Sequence, residues 1–349
     1  MSIKDNVLIL LEKNKNKALS GEELAASLSC TRAAVWKAIK SLESEGYNIQ
    51  AVNNKGYTLI TSPDVLSEAF IKEKVKNAGF DIEIMVEDEV DSTNNVLKSL
   101  ASNGKTNDCV LISASQTAGK GRRGRGFFSP KDTGIYISFL LHPAVSVLEA
   151  SMLTTLAATA EALSIETVLN TFESDTKNID SVDIKWVNDI YIRGKKVSGI
   201  LTEASTSIED GTLEYAVPGI GINIYEPEGG FPDEIKDIAG AIFKDSIKKE
   251  NLRNILASEL IINFLKYYTD KNDSNSTNNI ISRSFYEDYK KRSIVLGKDV
   301  NLLTPDHEVI SGDHSTAKVI DINEDCHLLV EYKDGEREYL SSGEISIRI

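Results

Sequence analysis

The chain has 349 residues, 41% of them hydrophobic and 26% charged, which is the balance of a globular protein with room for two or three cored domains. It shows no apolar run of about 18 residues, and Met1-Ser2-Ile3-Lys4-Asp5 has no signal-peptide pattern, so the expectation is a cytoplasmic protein without a membrane partner. The net charge of −14 excludes nucleic acid as a partner of the whole surface, but the charge is uneven. Residues 1–62 carry eight Lys or Arg against six acids, a net of +2, and the remaining 31 cations and 47 acids leave −16.

Three helical patterns open the chain. Val7, Leu8, Leu10 and Leu11 form one apolar stripe, and Ser20-Gly21-Glu22-Glu23 reads as a capping box for a second helix through Leu28. Thr31 caps a third helix, with Ala34, Val35, Ala38, Ile39 and Leu42 on one face and Arg32, Lys37 and Lys40 on the other. Only Ser29 and Cys30 separate the last two, as in a helix-turn-helix. Two β-like runs follow, Asn48–Val52 and Tyr57–Thr61, joined by Asn53-Asn54-Lys55-Gly56; a basic hairpin there makes a winged helix. DNA binding through Arg32, Lys37, Lys40 and Lys55 is favoured over a helical protein-interaction domain, because phosphate contacts need exposed cations. Trp36 and Trp186 read as core residues. Ser62-Pro63-Asp64 ends this unit and Val65–Gly79 reads as a helical connector.

From about residue 82 the pattern becomes mixed α/β. Ile82–Val86 is a strand, Asp91-Ser92-Thr93-Asn94 caps a helix through Leu100, and Cys109–Ser115 is a strand running into Gln116 and a basic loop. Residues 119–126 alternate four glycines with Lys120, Arg122, Arg123 and Arg125. Glycines expose N–H donors and allow close approach, and cations bind oxyanions, although a solvated basic loop or a nucleic-acid segment would look the same. Asp183-Ile184-Lys185-Trp186-Val187-Asn188-Asp189 puts polar groups at a strand end, and Lys196 opens the next strand, where it suits a phosphate. Gly219 and Gly221, in the apolar strand Ala216–Ile224, would let a flat ring lie close. Leu148–Leu169 is a long apolar helix, Phe172–Asp180 a polar loop and Asp273–Asn279 a polar insertion. Beyond Arg292 come short strands at Val300–Leu303, Ala317–Asn323, Leu328–Tyr332 and Glu338–Leu340. Cys30, Cys109 and Cys326 make neither a disulfide framework nor a zinc spacing, and His142, His307, His314 and His327 form no metal motif.

Asp91–Asn94, Gly119–Arg125, Lys185–Asp189, Lys196–Leu201 and Gly219–Asn223 together resemble the signature blocks of biotin–protein ligases, in that family's order. The winged helix in front and the β-rich end behind resemble its bifunctional repressor branch. The resemblance implies a multidomain α+β fold: a winged helix-turn-helix at 1–62, a helical connector at 63–81, a central mixed α/β catalytic domain of the biotin/lipoate ligase type at 82–290, and a small SH3-like β-barrel at 291–349. It implies an ATP-dependent ligase that forms biotinyl-5'-AMP, transfers biotin to a lysine of a biotin carboxyl carrier protein, and represses biotin genes from operator DNA as a homodimer. Biotin would meet Ser92, Thr93, Asn94, Gln116, Lys120, Gly121, Arg122 and Lys196; the adenylate would meet Gly119, Arg125, Asn188, Gly199, Gly221, Asn223 and the stretch to Phe231. Lys196 and Arg122 would hold phosphoryl charge. Asp189 would orient or deprotonate the acceptor amine, or else coordinate a metal or cap its neighbours. Magnesium would come with ATP, with no residue assigned to it. Lys120 stands where the pattern often has Arg, Phe127 where it has Trp and Val187 where it has Pro. A biotin-sensing repressor without catalysis and a lipoate ligase are the alternatives.

Overall fold

The structure is a computed structural model, and it describes residues 1–52, 55–143, 147–173, 180–206, 212–245, 247–269, 283–303, 313–341 and 344–347. Asn53 and Asn54 of the hairpin turn, most of the polar loop after Phe172, the insertion at 273–279 and His307 lie outside these residues.

At the N-terminus α1 (Ile3–Lys13), α2 (Gly21–Ser27) and α3 (Arg32–Ser44) precede the antiparallel hairpin of β1 (Asn48–Val52) and β2 (Gly56–Thr61). Ser2 and Ser20 both close capping boxes, and Thr31 caps α3 through the Ala34 amide. Val7, Leu11, Leu24, Val35, Ile39, Leu42 and Leu59 form a core separate from the rest of the molecule. Gly56 has φ +107°, and a Cβ there would meet the Leu19 carbonyl at 2.0 Å, so glycine lets the wing dock on the residues before α2. One expectation fails: Trp36 is not core but 55% exposed, because the buried stripe of α3 runs through Val35, Ala38, Ile39 and Leu42.

The connector contains α4 (Glu68–Asn77). The central part then runs β3 (Glu83–Glu87), α5 (Thr93–Ser102), β4 (Cys109–Ser113), β5 (Gly134–Leu140), α6 (Val147–Phe172), β6 (Asp183–Lys185), β7 (Asp189–Ile192), β8 (Lys195–Thr206), β9 (Leu213–Asn223), α7 (Leu252–Tyr268) and α8 (Tyr286–Lys291). Its seven strands are ordered β3-β4-β5-β9-β8-β7-β6, parallel only between β3 and β4. One face buries Leu97 of α5 with Cys109, Leu111, Leu140 and Val217; the other packs on α6 and α7, with Phe139 stacked on Phe264 at 4.1 Å. Met152–Phe172 is in fact long and apolar enough to cross a membrane by length and composition, yet most of it is buried inside this core.

β10 (Asp299–Leu303), β11 (Thr316–Ile322), β12 (Leu328–Tyr332), β13 (Arg337–Leu340) and β14 (Glu344–Ile347) form a five-stranded antiparallel sheet, ordered β13-β12-β11-β10-β14. Its apolar interior is continuous with that of the central sheet, joined by the Trp186 indole N–H donating to the Cys326 carbonyl at 2.9 Å. His314 proves to have acidic neighbours that no sequence spacing announced: its Nε2 lies 3.1 Å from Asp334 and 3.6 Å from Glu336 in a surface cluster.

Candidate active site

The sheet order brings the chemistry together. β8 lies between β9 and β7, so the starts of β7 and β8 and the end of β9 meet on one side of the sheet, with Asp189 opposite Gly199 and Gly199 opposite Gly221. The turn between β7 and β8 needs left-handed backbone at Arg193 (φ 53°) and Gly194 (φ 72°). It sets Lys196 at the start of β8, where its Nζ lies 2.7 Å from Asp189 Oδ1. The Lys196 side chain passes over Gly199, where an added Cβ would come within 3.1 Å of Nζ. The Lys196 backbone is pinned by two hydrogen bonds of 2.8 Å, its N–H to the Ile238 carbonyl and its carbonyl from the Gly240 N–H.

The basic loop closes on itself. Gly121 N–H donates to the Arg125 carbonyl at 2.7 Å and Phe127 N–H to the Gly119 carbonyl at 2.9 Å, with Arg123 at φ 57°. A Cβ on Gly119 would meet the Phe127 carbonyl and the Ser129 hydroxyl at 2.5 Å each, so this position needs glycine for its tight fold. Arg122 donates to Asn188 Oδ1 at 2.9 Å, tying the loop to the β6–β7 turn, while Asn188 Nδ2 donates to the Ile200 carbonyl at 2.9 Å. Lys120 donates to Asn95 on α5.

At the N-terminus of α5, Ser92, Thr93 and Asn94 are all buried. Gln116 Oε1 accepts from the Thr93 N–H at 2.9 Å and from its hydroxyl at 3.2 Å. Ser138 donates to Asn94 Oδ1, and Asn94 Nδ2 donates to Glu203 at 2.9 Å. Gly219 and Gly221 do leave room, but for groups of the protein itself: a Cβ would meet Asn94 Oδ1 at 2.0 Å and the Phe127 ring at 2.5 Å.

These groups surround two adjoining spaces. The larger, about 490 Å³, is bounded among others by Lys120, Arg122, Asn188, Asp189, Lys196 and Asn223, and also by Gly121, Arg125 and Gly199. The smaller recess, with about 20 Å³ free, lies between Ser92, Thr93, Asn94, Gln116 and Gly221. Lys120, Phe127, Gly199 and Leu201 border both. Of the ligase-site residues expected singly, Gly119 borders neither, and of the stretch from Asn223 to Phe231 only the two end residues border the larger space. Trp186 is buried as expected and also walls the larger space. Sequence reading did not find Ile235, Ile238 and Ala239 or, from the C-terminal sheet, Leu303 and Ile345. The first three sit beside the Lys196 backbone without any motif; the last two are ordinary strand residues whose place only tertiary packing sets. Arg32, Lys37, Lys40 and Lys55 lie far from this cleft in sequence, exposed on α3 and the wing, with Lys40 paired to Glu43 at 2.6 Å.

Such an arrangement can hold an anhydride or phosphate in the larger space, with Lys196 in its wall and Lys120 at the border with the polar recess. The chain matches family models described as "Biotin/lipoate A/B protein ligase family" over residues 86–223, "HTH domain" over 4–58 and "Biotin protein ligase C terminal domain" over 295–348. It is 34% identical to the bifunctional ligase/repressor BirA of Bacillus spizizenii over 269 residues, 77% of this chain and 79% of that protein. The bifunctional ligase/repressor BirA of Escherichia coli is 31% identical over 208 residues, 59% of each chain. Among solved structures, the biotin protein ligase from Aquifex aeolicus in complex with biotin and ATP superposes with a TM-score of 0.54 at 26% identity, covering 76% of this chain and 98% of that one. The chain belongs to the biotin protein ligase family, in the branch of bifunctional ligases and repressors that carry an N-terminal helix-turn-helix domain.

Proposed function

We propose that this protein activates biotin with ATP, transfers it to a lysine of a biotin carboxyl carrier protein, and represses transcription by binding operator DNA through residues 1–62. The observation that carries the ligase reading is the Lys196–Asp189 pair, 2.7 Å apart, in the wall of a larger cationic space that adjoins a polar recess across Lys120, Phe127, Gly199 and Leu201. In this reading Ser92, Thr93, Asn94 and Gln116 hold the biotin ring system, and Lys120, Gly121 and Arg122 meet its carboxylate. Gly119 shapes the loop, while Arg125, Asn188, Gly199, Gly221 and Asn223 border the adenylate.

The biotin carboxylate oxygen attacks the α-phosphorus of ATP; an O–P bond forms as the bond to diphosphate breaks. Lys196 turns from Asp189 to the phosphoryl oxygens and Arg122 supports it, neutralising charge that grows in the transition state. Asp189 is the single carboxylate among the described residues bordering the larger space, and Lys196 occupies it. That donor set does not build a metal site, so magnesium is read as part of the substrate MgATP. The basic loop shields the mixed anhydride from water. In transfer, the acceptor amine attacks the acyl carbon, AMP leaves, and Asp189, freed from Lys196, takes the amine proton.

Arg32, Lys37, Lys40 and Lys55 would contact DNA phosphates. A homodimer through the central sheet would use β3, the edge strand; the other edge, β6, is already bonded through Ile184 to Arg292 and Ile294. The division at residues 62, 81 and 290 and a cytoplasmic location belong to the same proposal. Incubation with biotin, MgATP and a carrier domain, with the carrier weighed by mass spectrometry, tests the ligase. A biotin-sized gain that needs ATP is the expected result. No gain, with biotin still bound, would replace the ligase by a sensing repressor.

A further inference from the structure

One acidic group near the site has no part in the chemistry above. Glu161 lies on α6, fully buried, and among the described residues neither carboxylate oxygen has a hydrogen-bond partner of ordinary geometry. It faces the buried hydroxyl of Ser198 on β8, which lies close enough to favour its ionised form. Ser198 borders the larger space two residues beyond Lys196. The charged groups acting on Glu161 are Asp189 of β7 and Lys196 of β8; α7, packed on the same helix, offers the neutral Asn263 to Ser164.

Resting on the ligase reading, we propose that Glu161 is a positioning residue that must be uncharged for adenylate formation. As a neutral acid beneath β8 it leaves Lys196 balanced between Asp189 and an incoming phosphoryl group. As a carboxylate it would place a second anion under Lys196, hold that cation down and repel the anionic substrates.

Burial pushes this carboxyl up to about 8, with Ser198 and Lys196 opposing the rise and Asp189 adding to it. The folded protein therefore keeps a proton that the unfolded chain releases in the ordinary glutamate range. Its stability contribution is full at low pH and falls as pH rises, until the folded group also ionises near 8.

The test compares wild type with Glu161→Gln and Glu161→Met in biotin adenylation across pH 7 to 9. With ionisation centred near 8, wild-type kcat/KM should fall about tenfold by pH 9, while Glu161→Gln stays flat and matches wild type at pH 7. Should the glutamine variant misfold, the methionine variant gives the same comparison. Independently, the infrared band of a protonated carboxyl should persist in wild type at pH 7 and be missing from either variant. An equal alkaline fall in the folded variants, or a folded glutamine variant inactive at pH 7, would overturn the proposal. If wild type forms no adenylate at any pH, the ligase reading fails and takes this role with it, while the infrared band would still report whether Glu161 is protonated.

Discussion

Cations serve the two ends of this molecule in opposite ways. On α3 and the wing, Arg32, Lys37 and Lys55 stand exposed to solvent, in a segment of net +2. In the cleft, Lys196 is held 2.7 Å from Asp189 and Arg122 2.9 Å from Asn188, inside a part of the chain with a large negative balance. Exposed charges act as a summed, salt-screened field and can be exchanged one at a time with small effect. A cation fixed at a point inside a cleft acts on one atom, so its loss is felt whole. The same residue types therefore give affinity at one site and rate at the other.

The largest effect that could break this contrast is Lys196→Ala. Adenylate formation should fall about 10³-fold with the melting temperature unchanged; a single-turnover assay that loses less than tenfold would remove Lys196 from the chemistry. Next comes the seam between the two regions. Asp64, at the end of the N-terminal unit, is buried with Arg253 of α7, whose guanidinium lies 3.3 Å from Asp64 Oδ2 and 3.1 Å from Asp132 Oδ1, while Tyr225 donates to Asp64 at 2.9 Å. Burial raises the Asp64 carboxyl, with Arg253 opposing it. Arg253→Met leaves that carboxylate without its cation and should cost about 3 kcal/mol in urea unfolding. A loss below about 1 kcal/mol would mean that water takes over the pairing.

Salt sharpens the comparison further. With four basic contacts, DNA affinity should drop about 10²-fold between 50 and 200 mM salt, and adenylate formation by only a few-fold. Equal salt dependence would show that both sites work by surface charge. The smallest effects belong to single residues of α3: Lys37→Ala and Trp36→Ala should each weaken DNA binding by about 1 kcal/mol in a titration, leaving biotin transfer untouched. If Trp36→Ala has no effect on DNA, its exposed indole serves another contact.

Much of this was legible in the chain. Ser20 and Thr31 cap where the sequence places them, because capping needs only residues three positions apart. The α3 stripe of Val35, Ala38, Ile39 and Leu42 follows from helical period alone. Trp36 was misjudged because residue type was weighed above its position off that stripe. Gly219 and Gly221 allow close approach, but the groups that approach, Asn94 and Phe127, are the protein's own and lie 125 and 94 positions away in sequence, beyond any local pattern.

What the amino-acid order determined by itself was the winged helix, most of the strands around the site, and the glycine and cation pattern of a site that binds oxyanions. Those are set by spacing over a few residues, where backbone geometry leaves little choice. Tertiary structure alone decided that Asp189 meets Lys196, that Leu303 and Ile345 of the last sheet wall the larger space, and that Glu161 is buried facing Ser198 of β8. Each of these depends on strand order and on how α6 crosses the sheet. In sequence, Glu161 is simply one acid in a long apolar helix, and only the packing of that helix takes it out of water.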